Sequence, residues 1–202
     1  MPAVLAEAAR AGVRKVVQLS GMSAGSGDMS NAITAYMATS EQAARESGLD
    51  WAIVRPAEFM TNAFRWAPRL RAGNVVRDPF GHVRTAVTDP ADIAAVAAPA
   101  LTSAGHESRV YEVSGPESRT PAERIAILGR VLGRELRFEA LSNEEARAEM
   151  SATTPARYVD AFFGFYVGGT LDESRVLPTV PELLGRPAGT FAQWTAAHAH
   201  AF

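Results

Sequence analysis

Residues 13–20 read VRKVVQLS and residues 51–54 read WAIV, and these two stretches decide the fold. Both are short and rich in β-branched residues, which is typical of buried strands. Each follows a segment whose apolar residues recur at helical spacing, Ala3 to Ala11 and Ala32 to Ser47. Helix and strand therefore alternate with gaps of a few residues. Such alternation indicates right-handed βαβ crossovers and predicts an α/β fold with a parallel sheet and flanking helices.

The rest of the chain continues this pattern less regularly. Glu58 to Arg71 predicts a helix that Pro68 interrupts, and Val83 to Val87 alternates like a short strand. Asp89 followed by a proline predicts the start of an Ala-rich helix. Further segments predict a strand at 109–113, a capped helix at 121–132, a strand at 135–140, and helices around 144–150, 157–166 and 191–201.

Composition excludes several classes of function. The chain has 202 residues with a formal net charge of -2, so it lacks the positive excess that nucleic acid or an anionic membrane would attract. It contains no apolar run of about 18 residues, and Glu7 and Arg10 break the pattern of the first residues, unlike a secretory signal. We therefore expect a cytoplasmic protein with neither a membrane nor a nucleic acid as partner.

No metal site is expected. The chain has no cysteine, and its histidines lie in loops or on different faces of the last helix. Asp89 and Asp92 have the appearance of paired carboxylates, but a helix N-cap and an inward hydrogen bond explain them better. Arginines 65, 69 and 71 with Trp66 are interpreted as the solvated face of a helix or as a clamp over an acidic ligand, in preference to an RNA surface.

A series of segments, in order, resembles the NmrA-like, atypical short-chain dehydrogenase/reductase family of NAD(P)-binding proteins. The first stretch is similar to the fourth strand of that family, and the resemblance extends over essentially the whole chain. The segments are 13–20, 41–51 (EQAARESGLDW), 55–62 (RPAEFMTN), 89–94 (DPADIA), 110–117 (VYEVSGPE), 184–187 (LGRP) and 191–194 (FAQW).

The resemblance implies a Rossmann-like parallel sheet with a smaller helical part that encloses the substrate. We expect residues 1–115 to form a partial Rossmann-type NAD(P)-binding domain and residues 116–202 the mainly helical substrate-binding part. Family members begin with a strand, a GxxGxxG turn and a helix that hold the pyrophosphate. We therefore expect an N-terminally truncated fold that lacks roughly 70 residues, at about 30 per βαβ unit. The GMSAGSG segment (21–27) is interpreted as an ordinary loop, because no tight turn into a helix follows it.

The catalytic dyad of short-chain dehydrogenases is absent from its expected place. In these enzymes a lysine four residues after a tyrosine lowers the pKa of the phenol. The resemblance puts Ile33 at the tyrosine position and Met37 at the lysine position, and Lys15, the sole lysine, lies elsewhere. Tyr36, one residue off, is the candidate catalytic residue, although Ser40 stands where its lysine partner would be. The alternative role for Tyr36 is plain helix packing.

The candidate cofactor-binding residues lie at the ends of the two strands, the edge at which open α/β sheets bind ligands. Ser20 is expected to hydrogen-bond the ribose or a substrate carbonyl, or simply to end the strand. The segment after the second strand resembles the family turn that packs against the nicotinamide. NADP or NAD is the implied cofactor, and the candidate residues are Leu19, Ser20, Gly21, Pro56, Ala57, Glu58 and Phe59.

The resemblance implies a reductase that transfers a hydride between NAD(P)H and a small organic substrate in its complete form. Two alternatives stay open: a dinucleotide-sensing or partner-binding protein without catalysis, and a nucleotide-sugar epimerase, which needs the missing dyad. If the first three strands of the family sheet are lacking, the strand at 13–20 has an exposed edge with few charged residues to protect it. This edge predicts a homodimer formed by pairing of two copies.

Overall fold

The computed structural model describes residues 2–202. Within them the strands are β1 (Lys15–Leu19), β2 (Asp50–Pro56), β3 (Val75–Asp78), β4 (Arg109–Val113) and β5 (Arg137–Ala140). The α-helices are α1 (Pro2–Arg10), α2 (Ala32–Arg45), α3 (Ala67–Ala72), α4 (Pro90–Thr102), α5 (Pro121–Leu132), α6 (Asn143–Ser151), α7 (Ala156–Tyr166), α8 (Thr179–Leu184) and α9 (Phe191–Ala197). Short 3-10 helices cover Met22–Ser26, Met60–Trp66 and Ala199–Ala201.

The first sheet is parallel, with the strand order β1-β2-β4. Its central strand β2 is buried on both faces, and Ala52, Ile53 and Val54 are at most 2% exposed. A near-continuous apolar run of this kind is typical of a parallel strand covered by helices. The predicted α/β fold, a Rossmann-like parallel sheet with flanking helices, is thus confirmed.

Helix ends follow the signals in the sequence. The Asn31 side chain accepts hydrogen bonds from two backbone N–H groups at the start of α2, and Asp89 accepts one from Ala91 at the start of α4. Thr120 and Glu123 form a reciprocal capping box before α5. These local contacts explain why the first turns of the helices could be located from sequence.

Three parts of the secondary structure differ from the sequence-based predictions. Residues 83–87 do not form a strand, because their backbone groups bind separate partners: Thr85 pairs with Arg119, and Ala86 donates to the carbonyl of Glu173. The predicted helix at 58–71 is a 3-10 helix followed by α3, with its proline in the first turn of α3. Strand β3 and helix α8 were not predicted.

Strands β3 and β5 form a second parallel pair, which packs beside the largest apolar cluster. This pair takes one strand from each side of residue 115, and α8 packs on α4. The division into residues 1–115 and 116–202 stays a prediction. In the described part of the chain, none of the helices has the length and apolar character that crossing a bilayer requires.

The central strand offers a direct test of the core. Ile53 is fully buried, whereas Val110, its neighbour in register on β4, is 37% exposed. We expect Ile53→Ala to lower the free energy of unfolding by about 2–5 kcal/mol, because it leaves a cavity in a packed layer. The matched control Val110→Ala should cost less than about 1 kcal/mol. Urea unfolding measures both, and equal losses would contradict the assignment of β2 as the buried centre.

Candidate functional site

The site begins where β1 and β2 end side by side. Ser20 follows β1, and its backbone N–H donates to the carbonyl of Val54 at 2.8 Å. The turn after Pro56 then crosses the end of the sheet, held by backbone bonds from Ala57 to the Val113 carbonyl (2.9 Å) and from Thr88 to the Glu58 carbonyl (2.7 Å). Carboxyl ends of parallel strands are the usual ligand edge of such sheets.

A cavity of about 240 Å³, here called the inner pocket, opens at this edge. Its floor is formed by the two strand ends, and its opposite wall comes from α7 and the loop after it. Of the predicted cofactor-binding residues, the structure brings together Ser20, Gly21, Pro56, Ala57, Glu58 and Phe59. The other lining residues are Met22, Ser23, Ile33, Met37, Asn62, Phe162, Phe165, Tyr166, Leu171 and Glu173.

Leu19 and Tyr36 do not line the inner pocket. Leu19 is 49% exposed and Tyr36 is 61% exposed. Ile33 and Met37 line the inner pocket, whereas Tyr36, turned by about 100° from Met37 around α2, is not among the lining residues. The two positions of the family dyad therefore do face the pocket, but they present apolar side chains.

Glu41 fixes the geometry of the strand ends. Its buried carboxylate accepts hydrogen bonds from the Ser20 hydroxyl (2.7 Å) and, in a two-pronged arrangement, from Nε and Nη2 of Arg55 (both 2.7 Å). Burial acts to raise the pKa of Glu41, but the bonds from Arg55 and Ser20 outweigh it and lower the pKa. The Ser20 proton is thus committed to Glu41, and only the lone pairs of its oxygen remain for a ligand.

Glu58 is the second fixed charge. Its carboxylate lies 3.0 Å from Nη1 of Arg124 and 3.2 Å from Nη1 of Arg65, and it accepts a hydrogen bond from Thr85 at 3.0 Å. Burial acts to raise the pKa of Glu58, but the charges of Arg124 and Arg65 outweigh it and lower the pKa. Arg65 also contacts Asp78 at 2.8 Å. Arg65 is therefore part of an ion-pair network, while its side chain stays 42% exposed, as predicted for the solvated face of a helix.

A buried pair faces these groups from the opposite wall. The hydroxyl of Tyr166 donates to Oε2 of Glu173 at 3.0 Å, and Glu173 is 8% exposed. Burial and the nearby charge of Glu58 raise the pKa of Glu173 to about 7. Burial, followed by the charge of Glu173, raises the pKa of Tyr166 well above its usual range.

A second cavity, of about 400 Å³ and here called the outer pocket, adjoins the inner pocket. Glu58, Asn62, Phe162 and Tyr166 line both. Its further walls come from the segment after β3 and from helices α5 and α6. Arg124 lines the outer pocket and keeps a buried Nε with no hydrogen-bond partner among the described residues.

Several residues of the site were not found from the sequence. Tyr166 and Glu173 were missed because their side chains meet the turn after β2 only through the tertiary fold. The aromatic run FFGFY at 162–166 was the one available signal, since three of its rings line the inner pocket. Glu173 lies in a loop without periodicity and gave no signal.

Other predicted features have structural roles. Asp92 is 2% exposed and binds the backbone N–H of Gly189 and the guanidinium of Arg186, both at 2.7 Å. The glycine-rich segment after β1 contains a 3-10 helix, and a Cβ added at Gly25 would lie 3.1 Å from Arg55. This geometry differs from the tight strand-to-helix turn of a phosphate loop. In residues 2–202 no cluster of three or more His, Asp or Glu side chains is arranged to hold a metal.

Comparison with known proteins identifies the family. Residues 1–104, just over half of the chain, match a family model described as NAD(P)H-binding. The chain belongs to this NAD(P)H-binding family. The resemblance to NAD(P)-binding reductases and the prediction of NAD or NADP as cofactor are thereby confirmed.

Relatives of this NAD(P)H-binding protein are named as reductases. It is 48% identical over 200 residues to a (4-alkanoyl-5-oxo-2,5-dihydrofuran-3-yl)methyl phosphate reductase of Streptomyces griseus, with 98% of this chain and 71% of that protein covered. It is 37% identical to an NAD(P)H azoreductase of Xenophilus azovorans, covering 99% of this chain and 70% of that protein. The crystal structure of an NADPH-dependent quinone oxidoreductase from Escherichia coli in complex with NADPH is similar, with a TM-score of 0.78, 25% identity, and coverage of 98% of this chain and 70% of that one.

The space beside the end of β1 bears on where such a cofactor would lie. No atom lies within 4 Å of the position that a Cβ would take at Gly21, so the space beside the end of β1 is open. Ile33, Met37 and Phe59 supply apolar surface around it. Flat apolar surface next to polar strand ends suits a nicotinamide ring with its ribose.

The Glu41 cluster supports a prediction on stability. We expect Glu41→Gln to lower the free energy of unfolding at neutral pH by on the order of 2–3 kcal/mol, because Arg55 keeps its charge but loses its partner. The folded-state pKa of Glu41 lies below its ordinary value of 4.5. Its stabilisation is therefore fully present above pH 4.5 and is lost as the pH falls through the folded-state pKa. In urea unfolding, the free energies of unfolding of the unchanged protein and of Glu41→Gln should converge as the solution is acidified.

Glu112→Gln is the control for this prediction. Glu112 lies 3.8 Å from Nη1 of Arg55, but its side chain is 43% exposed. Its replacement should change the free energy of unfolding by less than about 0.5 kcal/mol. If Glu41→Gln and Glu112→Gln behave alike, Glu41 does not hold the strand ends together.

Proposed function

We propose that this protein is an NAD(P)H-dependent reductase of a small conjugated acceptor, with the nicotinamide in the inner pocket and the acceptor between the inner and outer pockets. The observation that carries the proposal is that the two cavities adjoin, with Glu58, Asn62, Phe162 and Tyr166 in the lining of both. Because NAD(P)H is held inside cells, we propose a cytoplasmic site of action.

The chemistry of the site supports this assignment. NAD(P)H supplies a hydride, so the protein has to contribute placement, exclusion of water and a proton. Ile33 and Met37 keep the strand-end side of the inner pocket apolar, and Phe162 adds apolar surface where the two pockets adjoin. The acceptors named for the relatives, a butenolide phosphate, azo compounds and quinones, all contain a double bond that can take up a hydride and a proton.

A protein that binds the dinucleotide without turnover is the second candidate. It is favoured by one observation, the apolar Ile33 and Met37 at the positions of the family dyad. Two assays on the full-length protein encoded by the gene distinguish the two candidate functions. Energy transfer from tryptophan measures the binding of NADPH. Loss of NADPH absorbance measures turnover with a butenolide phosphate, a quinone or an azo dye as acceptor. Binding without oxidation by any acceptor would favour the second candidate and contradict the first.

Gly21 allows the cofactor position to be tested. Its backbone is extended (φ -153°) and its Cβ direction is open, so Gly21→Leu should fold normally while its side chain fills the inner pocket. We expect the NADPH dissociation constant to rise by about tenfold or more, equivalent to about 1.4 kcal/mol. Gly73→Leu is a matched control, since Gly73 is also extended (φ 176°), has open space at its Cβ and lies outside the pocket. Unchanged NADPH affinity in Gly21→Leu would remove the strand end from the cofactor site.

We also propose that two copies pair through β1. Among the described residues β1 has a strand neighbour on one side, β2. Ser20 donates to β2, and donors alternate along a parallel strand, so the N–H groups of Leu19, Val17 and Lys15 point to the other side. Unpaired groups of this kind are a template for edge pairing.

Leu19→Lys tests this dimer. Leu19 is 49% exposed, so a lysine there is tolerated, whereas Val17 packs against the core around Val54. We expect light scattering to show a dimer for the unchanged protein and a shift to monomer for Leu19→Lys, because charged side chains on an edge strand oppose pairing. A monodisperse monomer before the substitution would contradict the proposal.

A further inference from the structure

Tyr166 occupies the boundary between the two cavities. It lines both the inner and the outer pocket, where the proposed function places the acceptor. Its ring is held by Phe80, with ring centroids 5.1 Å apart, and its hydroxyl donates to Glu173. A hydroxyl fixed in this way meets a ligand in a constant position.

Glu173 lies next to Tyr166 and is almost out of contact with solvent. The charged groups that face it are the carboxylate of Glu58 from the turn after β2 and the guanidinium of Arg124 from α5, with Arg65 beyond them. Burial and the charge of Glu58 raise the pKa of Glu173, whereas the backbone of Glu58 acts against these two effects and favours the charged form, which lowers the pKa. Glu58 keeps its own charge because Arg65 and Arg124 pair with it, so Glu173 faces a fixed negative charge.

We propose that Tyr166 donates the proton that completes reduction of the acceptor, and that Glu173 replaces this proton. This inference rests on the proposed reductase function. It assigns a catalytic role to Tyr166, which touches the acceptor. Glu173 acts through Tyr166.

The proton and electron balance of the step is as follows. A hydride from NAD(P)H bonds to one atom of a polarised double bond and leaves NAD(P)+. The electron pair of that double bond moves to the second atom, which takes the proton from the Tyr166 hydroxyl. As that O–H bond breaks, the carboxyl O–H of Glu173 gives its proton to the Tyr166 oxygen. Glu173 remains as a carboxylate and regains a proton from water that enters the pocket after product release.

The distance between the two oxygens suits both directions of the hydrogen bond. At 3.0 Å, Tyr166 donates to an ionised Glu173, whereas a protonated Glu173 donates to Tyr166 and frees the phenol hydrogen to face the acceptor. Burial and the negative charge of Glu173 raise the pKa of Tyr166, so an isolated phenolate is unfavourable here. Simultaneous replacement of the proton avoids forming it. The pKa of Glu173, about 7, keeps a large protonated fraction at neutral pH.

The test compares two variants with two controls in the full-length protein, using NADPH and menadione, a soluble quinone, as acceptor. Tyr166→Phe keeps the ring and removes the proton, and Tyr158→Phe makes the same change elsewhere on α7. Glu173→Gln removes the titrating group, and Asp172→Asn changes the exposed neighbour. We expect kcat of Tyr166→Phe to fall by about 10²- to 10⁴-fold with the NADPH dissociation constant unchanged. Both controls should keep full activity.

The pH profile separates a proton relay from a packing role. In the unchanged protein kcat should be level below pH 7 and fall above it, as Glu173 loses its proton. In Glu173→Gln kcat should be lower and show no break near this pH. Full activity in Tyr166→Phe, or an unaltered break in Glu173→Gln, would overturn the inference.

The titration of Glu173 can also be tested without cofactor, through the pH dependence of the protein's stability. The folded-state pKa of Glu173, about 7, lies above its ordinary value of 4.5, so stability is lost as the pH rises through this interval and Glu173 ionises against Glu58. The urea midpoint of the unchanged protein should therefore fall relative to that of Glu173→Gln over this range, and Asp172→Asn should not show this divergence. A constant difference overturns the inference. If the unchanged protein binds NADPH but reduces no acceptor, both the proposed function and this inference fail. If the unchanged protein is active and Tyr166→Phe is equally active, only this inference fails.

Discussion

Both the fold and the site depend on the ion pairs and the hydrogen bond of the buried Glu58 carboxylate. A buried carboxylate is strongly unfavourable unless charged donors surround it. Here those donors are Arg124 from α5, Arg65 from the 3-10 helix after β2, and the hydroxyl of Thr85. Three distant parts of the chain therefore have to meet at the end of the first sheet for this charge to be buried.

The network continues into the second sheet. Arg65 and the indole Nε1 of Trp66 both donate to Asp78 at the end of β3, and Trp66 belongs to the largest apolar cluster. Polar contacts thus fix the position of β3 against the turn after β2. Apolar packing supplies most of the free energy that holds the two sheets together. The outer pocket lies along this junction, since Glu58, Arg65 and Asp78 all line it.

Whether a feature could be predicted from the sequence depends on how far apart along the chain its contacting residues are. Strands β1 and β2 were predicted because local apolar pattern, strand-ending residues and chain order specify them, whereas the turn at 56–59 was predicted from the resemblance to the family. Strand β3 was missed because it has four residues and its partner β5 lies about sixty residues further on. Leu19 and Tyr36 were predicted at the site, but the structure does not bring them there, since the strand twist and the helix rotation that aim a side chain are not readable from position alone.

The lack of the tyrosine-lysine dyad has a consequence for how a proton can be supplied. A lysine beside a tyrosine makes the phenol more acidic, but the sole lysine, Lys15, lies at the far end of β1 and pairs with Glu107 at 2.6 Å. No lysine can therefore tune a phenol at this site. A carboxylate beside a phenol has the opposite effect on its pKa, so Tyr166 becomes useful only when Glu173 is itself protonated. The charge of Glu58 favours that protonated form. The same buried carboxylate that joins the two layers of the fold thus also favours the protonation state that the proposed reaction needs.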